Sequence, residues 1–150
     1  MACPYFVPRE IVYNIPWPHP ARLPLGAGWN GTCCAPAGQD PAEKATENAT
    51  TPIDAARLRD FCNLGYATAC PHFPPNRDWD AVRFAVAGSS PQQITFFYIC
   101  ERDHAPIAHG TMTYDLAAEL WRDPHPDPRV LRLATSYLHS YRVRQPRPLI

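Results

Sequence analysis

The sequence predicts an α+β fold: a small three-stranded antiparallel sheet with two to three helices, preceded by a long irregular Pro-rich N-terminal arm. Three observations predict it. Residues 81–114 alternate apolar and polar positions between two turn signals. Two helical stripes each follow a cap–proline pair, Thr51-Pro52 and Asp127-Pro128. Residues 1–50 show almost no periodicity and are punctuated by Pro8, Pro16, Pro18, Pro20 and Pro24. At 150 residues the chain reads as a single domain, with the irregular arm at 1–50 and the α+β core at 51–150.

The arm is too apolar for a disordered linker. Tyr5, Phe6, Val7, Ile11, Val12, Tyr13, Ile15 and Trp17 all lie within it. It is expected to wrap the domain surface with few ladder hydrogen bonds, so something else should pin it. Residues 36–50 are small and polar and are expected to form a flexible loop.

The first helix is expected to start at Thr51 as N-cap, with Pro52 at the first helical position and Asp54 reaching back. Ala55, Leu58, Phe61 and Cys62 form its apolar stripe, and Arg57, Arg59 and Asp60 face water. Gly65 ends it near Leu64, so Cys62 falls in the last turn and Cys70 follows after a short loop. Strands are expected from Ala81 to Ala87, Gln93 to Glu101 and Ile107 to Tyr114, with turns at Gly88-Ser89-Ser90-Pro91 and Asp103-His104-Ala105-Pro106. A short helix should follow from Asp115 through Trp121. A final helix should run from its cap at Asp127 to about Arg142 and bury Val130, Leu131, Ala134, Tyr137 and Leu138.

Formal net charge is zero, which lacks the basic excess of a nucleic-acid binder. Lys44 is the only lysine; with abundant Ala and Pro this is a sign of GC-rich, typically bacterial coding and carries no mechanism. No apolar run approaches the ~18 residues of a membrane span. The opening Met1-Ala2-Cys3-Pro4 has no basic segment followed by an apolar run. The expectation is a cytoplasmic protein with no membrane and no nucleic-acid partner. Six cysteines in a reducing compartment point to metal binding or redox chemistry rather than structural disulfides.

One hexamer occurs twice, Cys3-Pro4-Tyr5-Phe6-Val7-Pro8 and Cys70-Pro71-His72-Phe73-Pro74-Pro75. Each sets a thiol at the head of a proline-stiffened loop with an aromatic shield behind it. Four sulfurs stand out as metal ligands: Cys3, Cys33, Cys62 and Cys70, with Cys34 as the alternative to Cys33. Gly31-Thr32-Cys33 has the form of a turn delivering a sulfur, which favours Cys33. Cys100 lies in an apolar strand and reads as a small buried hydrophobe. His72 is either a hydrogen-bond donor beside the site or an exposed loop residue. His104 and His109 bracket a hairpin and read as a solvated tip.

Structural zinc is usually held by two closely spaced Cys pairs, and C-x2-C is absent here. An iron–sulfur cluster accepts widely separated ligands, because each sulfur meets a different corner. Phe6 and Phe73 would shield such a centre from water. The Cys-Pro steps resemble the C-P that closes ferredoxin-type ligand runs, although the ferredoxin C-x2-C-x2-C spacing is missing. The arm cysteine, Gly31-Thr32-Cys33, and Cys62-Asn63-Leu64-Gly65-Tyr66-Ala67 leading to Cys70-Pro71-His72-Phe73-Pro74 resemble small uncharacterised bacterial iron–sulfur proteins with a Cys-ligated [4Fe–4S] cluster. The expectation is a cluster-binding protein for electron transfer or redox sensing, working with a redox partner protein. The alternatives are a structural zinc-binding protein-interaction module and a thiol-disulfide redox protein. No catalytic motif is present, so the chain is not expected to be an enzyme by itself.

Overall fold

The structure, a computed structural model, describes residues 1–36 and 51–145. The expected flexible loop at 36–50 lies, beyond Pro36, outside the described residues.

The C-terminal half follows its sequence periodicity. Strands β4 (Ala81–Ser89), β5 (Gln93–Arg102) and β6 (Ala105–Asp115) form an antiparallel meander. Helix α2 (Pro128–Arg144) covers one face. Its cap is as expected: the Asp127 carboxylate accepts the Arg129 N–H at 2.9 Å, with Pro128 at the first position. Val130, Leu133, Ala134 and Leu138 of α2 are buried with Val82, Phe84, Phe96, Cys100 and Met112 of the sheet. A bulge between Cys100 and Glu101 breaks the two-residue alternation, and both side chains are buried.

Four expectations require correction. First, the sheet is not three-stranded. The chain after β6 does not form the expected helix from Asp115 through Trp121. The Asp115 carboxylate accepts the N–H groups of Ala117 and Ala118 in a tight turn (3.0 and 2.9 Å). The chain then doubles back as β7 (Leu120–Trp121), giving a four-stranded sheet in the order β4-β5-β6-β7.

Second, the arm is not irregular throughout. It builds a separate antiparallel sheet in the order β1-β2-β3, from β1 (Phe6–Ile11), β2 (Trp29–Cys33) and the two-residue β3 (Thr51–Pro52). Pro8 obscures β1 in the sequence. It sits on an edge strand at a register shift, where a missing N–H is tolerated. The fold thus has α+β character but two sheets.

Third, the arm is not short of backbone and side-chain ties to the rest of the domain. Ala2 exchanges two hydrogen bonds with Val82 of β4 (2.7 and 3.0 Å). The Trp29 indole N–H donates to Ser140 of α2 at 3.0 Å. Buried residues of the arm and of the α+β core belong to one hydrophobic cluster.

Fourth, the first helix is shorter and wider than expected. Thr51-Pro52 is strand, and the N-cap is Asp54, which accepts the Arg57 N–H at 2.9 Å. One α turn, α1 (Ala55–Arg57), runs into a π turn over Leu58–Cys62. The Asn63 side chain explains the widening. Its amide donates to the Leu58 carbonyl (3.0 Å) and the Trp29 carbonyl (2.9 Å) and accepts the Trp29 N–H (2.9 Å). A buried amide thus satisfies carbonyls at the turn and ties it to β2.

Among the described residues, no helix is long and apolar enough to cross a membrane.

Candidate functional site

The repeated hexamer is a repeated structure. The Phe6 N–H donates to the Cys3 carbonyl at 3.2 Å, and the Phe73 N–H donates to the Cys70 carbonyl at 3.0 Å. Each Cys-Pro-aromatic-Phe segment is therefore a β-turn with proline at its second position, where the fixed φ suits the turn. The turns meet through Tyr5 and Phe73, whose rings pack edge to face with centroids 5.7 Å apart. Arg77 stiffens the second turn: its guanidinium lies 4.6 Å from the Phe73 ring centre, donates to the Pro74 carbonyl at 2.9 Å and pairs with buried Asp80.

Between the turns lies a small pocket with a cavity of about 20 Å³. Cys3, Cys33, Cys62 and Cys70 all line it, with Phe6 and Phe73 in its wall. Each sulfur arrives on a different element. Cys3 heads the first turn, Cys33 ends β2, Cys62 ends the π turn, and Cys70 follows the 3₁₀ turn Ala67–Ala69. Cys3 and Cys62 are buried, while Cys33 and Cys70 are half-buried. Exposed His72 stands at the rim.

Gly31 lets this wall close. A Cβ there would fall 2.1 Å from the Val7 carbonyl oxygen and 2.9 Å from the Phe6 ring, so only glycine admits β1 and Phe6 at this distance. Gly65, at φ +132°, makes the bend between the Cys62 and Cys70 elements in a conformation that L side chains rarely adopt.

The structure separates the adjacent thiols. Cys33 lines the pocket. Cys34 donates its N–H to the Tyr5 carbonyl at 2.8 Å, and its buried Sγ lies 3.6 Å from the Arg132 guanidinium. Cys100 is buried in β5, outside the pocket lining. Burial pushes its thiol up to about 11, Asp127 adds to the rise and Arg129 opposes it.

Electrostatics set the pocket's chemistry. Burial pushes the Cys3 thiol far up; the N–H groups of Tyr5 and Phe6 oppose this, while Cys62 and Cys33 reinforce it. Burial, then Cys33 and Cys70, push Cys62 up to about 12. Cys33 rises by burial; the Ala35 N–H and Arg57 oppose the rise, while Cys34 and Cys70 reinforce it. That amide lies 3.5 Å from the Cys33 sulfur. These thiols stay protonated unless a cationic centre replaces the protons, since a metal-bound thiol is deprotonated outright. All six cysteines are free thiols. Among the described residues, no group of three or more His, Cys, Asp or Glu side chains is set to hold a metal ion.

Sequence reasoning missed Arg57. It was expected to face water, but it is half-buried and lines the pocket. It also missed Tyr66, whose hydroxyl donates to buried Glu101 and ties the loop between Cys62 and Cys70 to the four-stranded sheet. The sequence signal for Tyr66 was its place inside that loop; nothing in the sequence marks Glu101 as its acceptor.

No protein-family model, curated protein or solved structure matches the chain.

Proposed function

We propose that Cys3, Cys33, Cys62 and Cys70 ligate a [4Fe–4S] cluster and that the protein transfers electrons or senses redox state. One observation carries this reading: four thiols from four separate segments line one pocket, two of them on matching Cys-Pro turns. The four thiols line this one pocket, and among the described residues they do not converge on a single point. That suits a centre whose corners each take one sulfur, whereas zinc draws its ligands to ~2.3 Å of a single ion. When bound, the cluster supplies one-electron chemistry. Phe6 and Phe73 keep water from it, and the Ala35 N–H beside Cys33 donates toward its sulfur, a contact that tunes potential. A redox partner protein would approach at the side where Cys33 and Cys70 are half-buried and His72 is exposed.

The test is anaerobic reconstitution with iron and sulfide, followed by visible absorption and metal analysis. The expected product is brown, with iron and sulfide in equal amounts. A colourless protein carrying zinc would overturn the cluster in favour of a zinc module. A colourless, metal-free protein with reversible disulfides would make it a thiol-redox protein.

A further inference from the structure

Arg57 differs from the carboxylate-paired arginines near the pocket; Arg132 also has a shielded Nε without a partner, but it does not line the pocket. Arg59 pairs with Asp60 at 2.9 Å, Arg77 pairs with Asp80, and Arg129 pairs with Asp127 at 2.8 Å. Among the described residues Arg57 has no ion pair, and its Nε is shielded from solvent without a hydrogen-bond partner. The side chain lines the pocket of the four thiols. Its backbone is fixed from behind, where the exposed Asp54 carboxylate accepts the Arg57 N–H at 2.9 Å. Leaving a buried guanidinium N–H without an acceptor is unfavourable. Protonated thiols are poor acceptors, so they do not relieve it. An anionic occupant rich in sulfur would.

We propose that Arg57 is the charge partner of the cluster, holding its reduction potential up. The inference rests on the cluster reading above. Four thiolates around a [4Fe–4S] core are net anionic, and each electron accepted adds negative charge. A fixed cation in a pocket of low dielectric therefore stabilises the reduced state more than the oxidised state. The electron comes from a one-electron donor protein, or from dithionite in the experiment, and no bond is made or broken. Among charged groups near the pocket, Asp54 opposes Arg57: the two act in opposite senses on Cys62. Asp54 is exposed and screened by water, whereas the Arg57 Nε is not.

The test compares wild type, R57Q and R57K, each reconstituted with iron and sulfide. Iron content, circular dichroism and midpoint potential by dithionite titration are the readouts. R57Q should fold, hold the cluster and titrate at a clearly lower potential; R57K should lie close to wild type. If R57Q folds but cannot be loaded while R57K can, the charge role also stands. A wild-type potential in R57Q, or an equal shift in R57K, overturns it. So does loss of the cluster from both folded variants, which would mean that packing rather than charge is at stake. A wild-type protein that takes up no cluster overturns the cluster reading and this inference together. Unchanged potentials in loaded variants overturn this inference alone.

Discussion

The four-stranded sheet with α2 and the cysteine pocket are built on different principles. The first is held by repetition: long strands, a long helix and an apolar face in which Val82, Phe96, Met112, Val130 and Leu133 are all buried. Removing one side chain leaves the rest of such a face packed. The pocket is held by single side chains at joints. Asn63 ties the π turn to β2, Tyr66 ties the next loop to β5, and the Tyr5–Phe73 contact joins the two Cys-Pro turns. It also holds an arginine nitrogen without an acceptor beside thiols whose ionised form burial disfavours. A region held by specific joints around an unsatisfied polar group is the pattern of a site, and an unmet polar group of this kind is retained where something compensates it.

The sharpest way to break the comparison is to remove sulfurs from each region. Cys3→Ser, Cys33→Ser, Cys62→Ser and Cys70→Ser should each abolish stable iron uptake. Cys34→Ser and Cys100→Ser should retain it, although each places a hydroxyl in a buried position at a cost of about 1–3 kcal/mol. Iron and sulfide content of the six reconstituted variants is the measurement. Full content in Cys3→Ser or Cys70→Ser would detach the pocket from the function assigned to it.

The two regions were unequally legible, and the reasons are physical. β4, β5, β6 and α2 follow one period over most of their length, interrupted by the register shifts at Val86/Gly88 and Cys100/Glu101, so the elements are readable from the pattern. The Asp115 segment has the start of a helix, but the carboxylate closes a turn instead and the chain pairs back onto β6. In the arm, β1 is masked by Pro8 at a register shift, and β2 is five residues long with Gly31 in its middle. The π turn depends on an Asn63 amide whose partner lies 34 residues away, and no local pattern reports that. Local signals did group Cys3, Cys33, Cys62 and Cys70, because each marks a chain end or turn: Cys-Pro, Gly-x-Cys, and the close of a helical segment. Arg57 sits in the α turn just before the π turn, and no local pattern marks it as a pocket residue.

Asn63→Ala tests a joint directly. It removes the acceptor of the Trp29 N–H and the donor to the Leu58 and Trp29 carbonyls, all in buried surroundings. The expected loss is about 2–4 kcal/mol in urea unfolding. Metal uptake should weaken as well, because Cys62 ends the turn that Asn63 shapes. An equal truncation on the outer face of the other region, Thr111→Ala at an exposed β6 position, should change neither by more than about 0.5 kcal/mol. If Asn63→Ala is equally mild, the π turn is held by packing alone.

Alkaline pH separates the regions by state. In metal-free protein Cys62 rises from its ordinary 9.0 to about 12, and Cys100 from 9.0 to about 11. A raised folded pKa means that the unfolded chain gives up its proton first. The stabilisation is therefore complete below pH 9.0 and is lost as pH climbs through the folded values. With a centre bound, Cys62 holds no proton; its alkaline loss disappears, and ligation strengthens as pH approaches 9.0 from below. Cys100 behaves alike in both states. Urea midpoints followed through this window should fall more steeply for the metal-free protein. Parallel curves would mean that the pocket thiols are not ligands.

The smallest effect on stability should come from the contact between the turns. Phe73 is half-buried, edge to face with Tyr5 and under the Arg77 guanidinium. Phe73→Ala should therefore cost only about 1–2 kcal/mol. Its effect on the centre should be larger than that figure suggests. The ring is part of the pocket wall beside Cys70, so its loss opens a path for water and oxygen without removing a sulfur. Iron content just after reconstitution should match wild type, and bleaching in air should be several-fold faster. Phe97→Ala, on the outer face of the four-stranded sheet where the side chain is 51% exposed, is the matched control and should bleach at the wild-type rate. Equal rates in all three proteins would make the second hexamer's aromatic position a packing detail. Its resemblance to the first would then rest on the shared Cys-Pro turn alone.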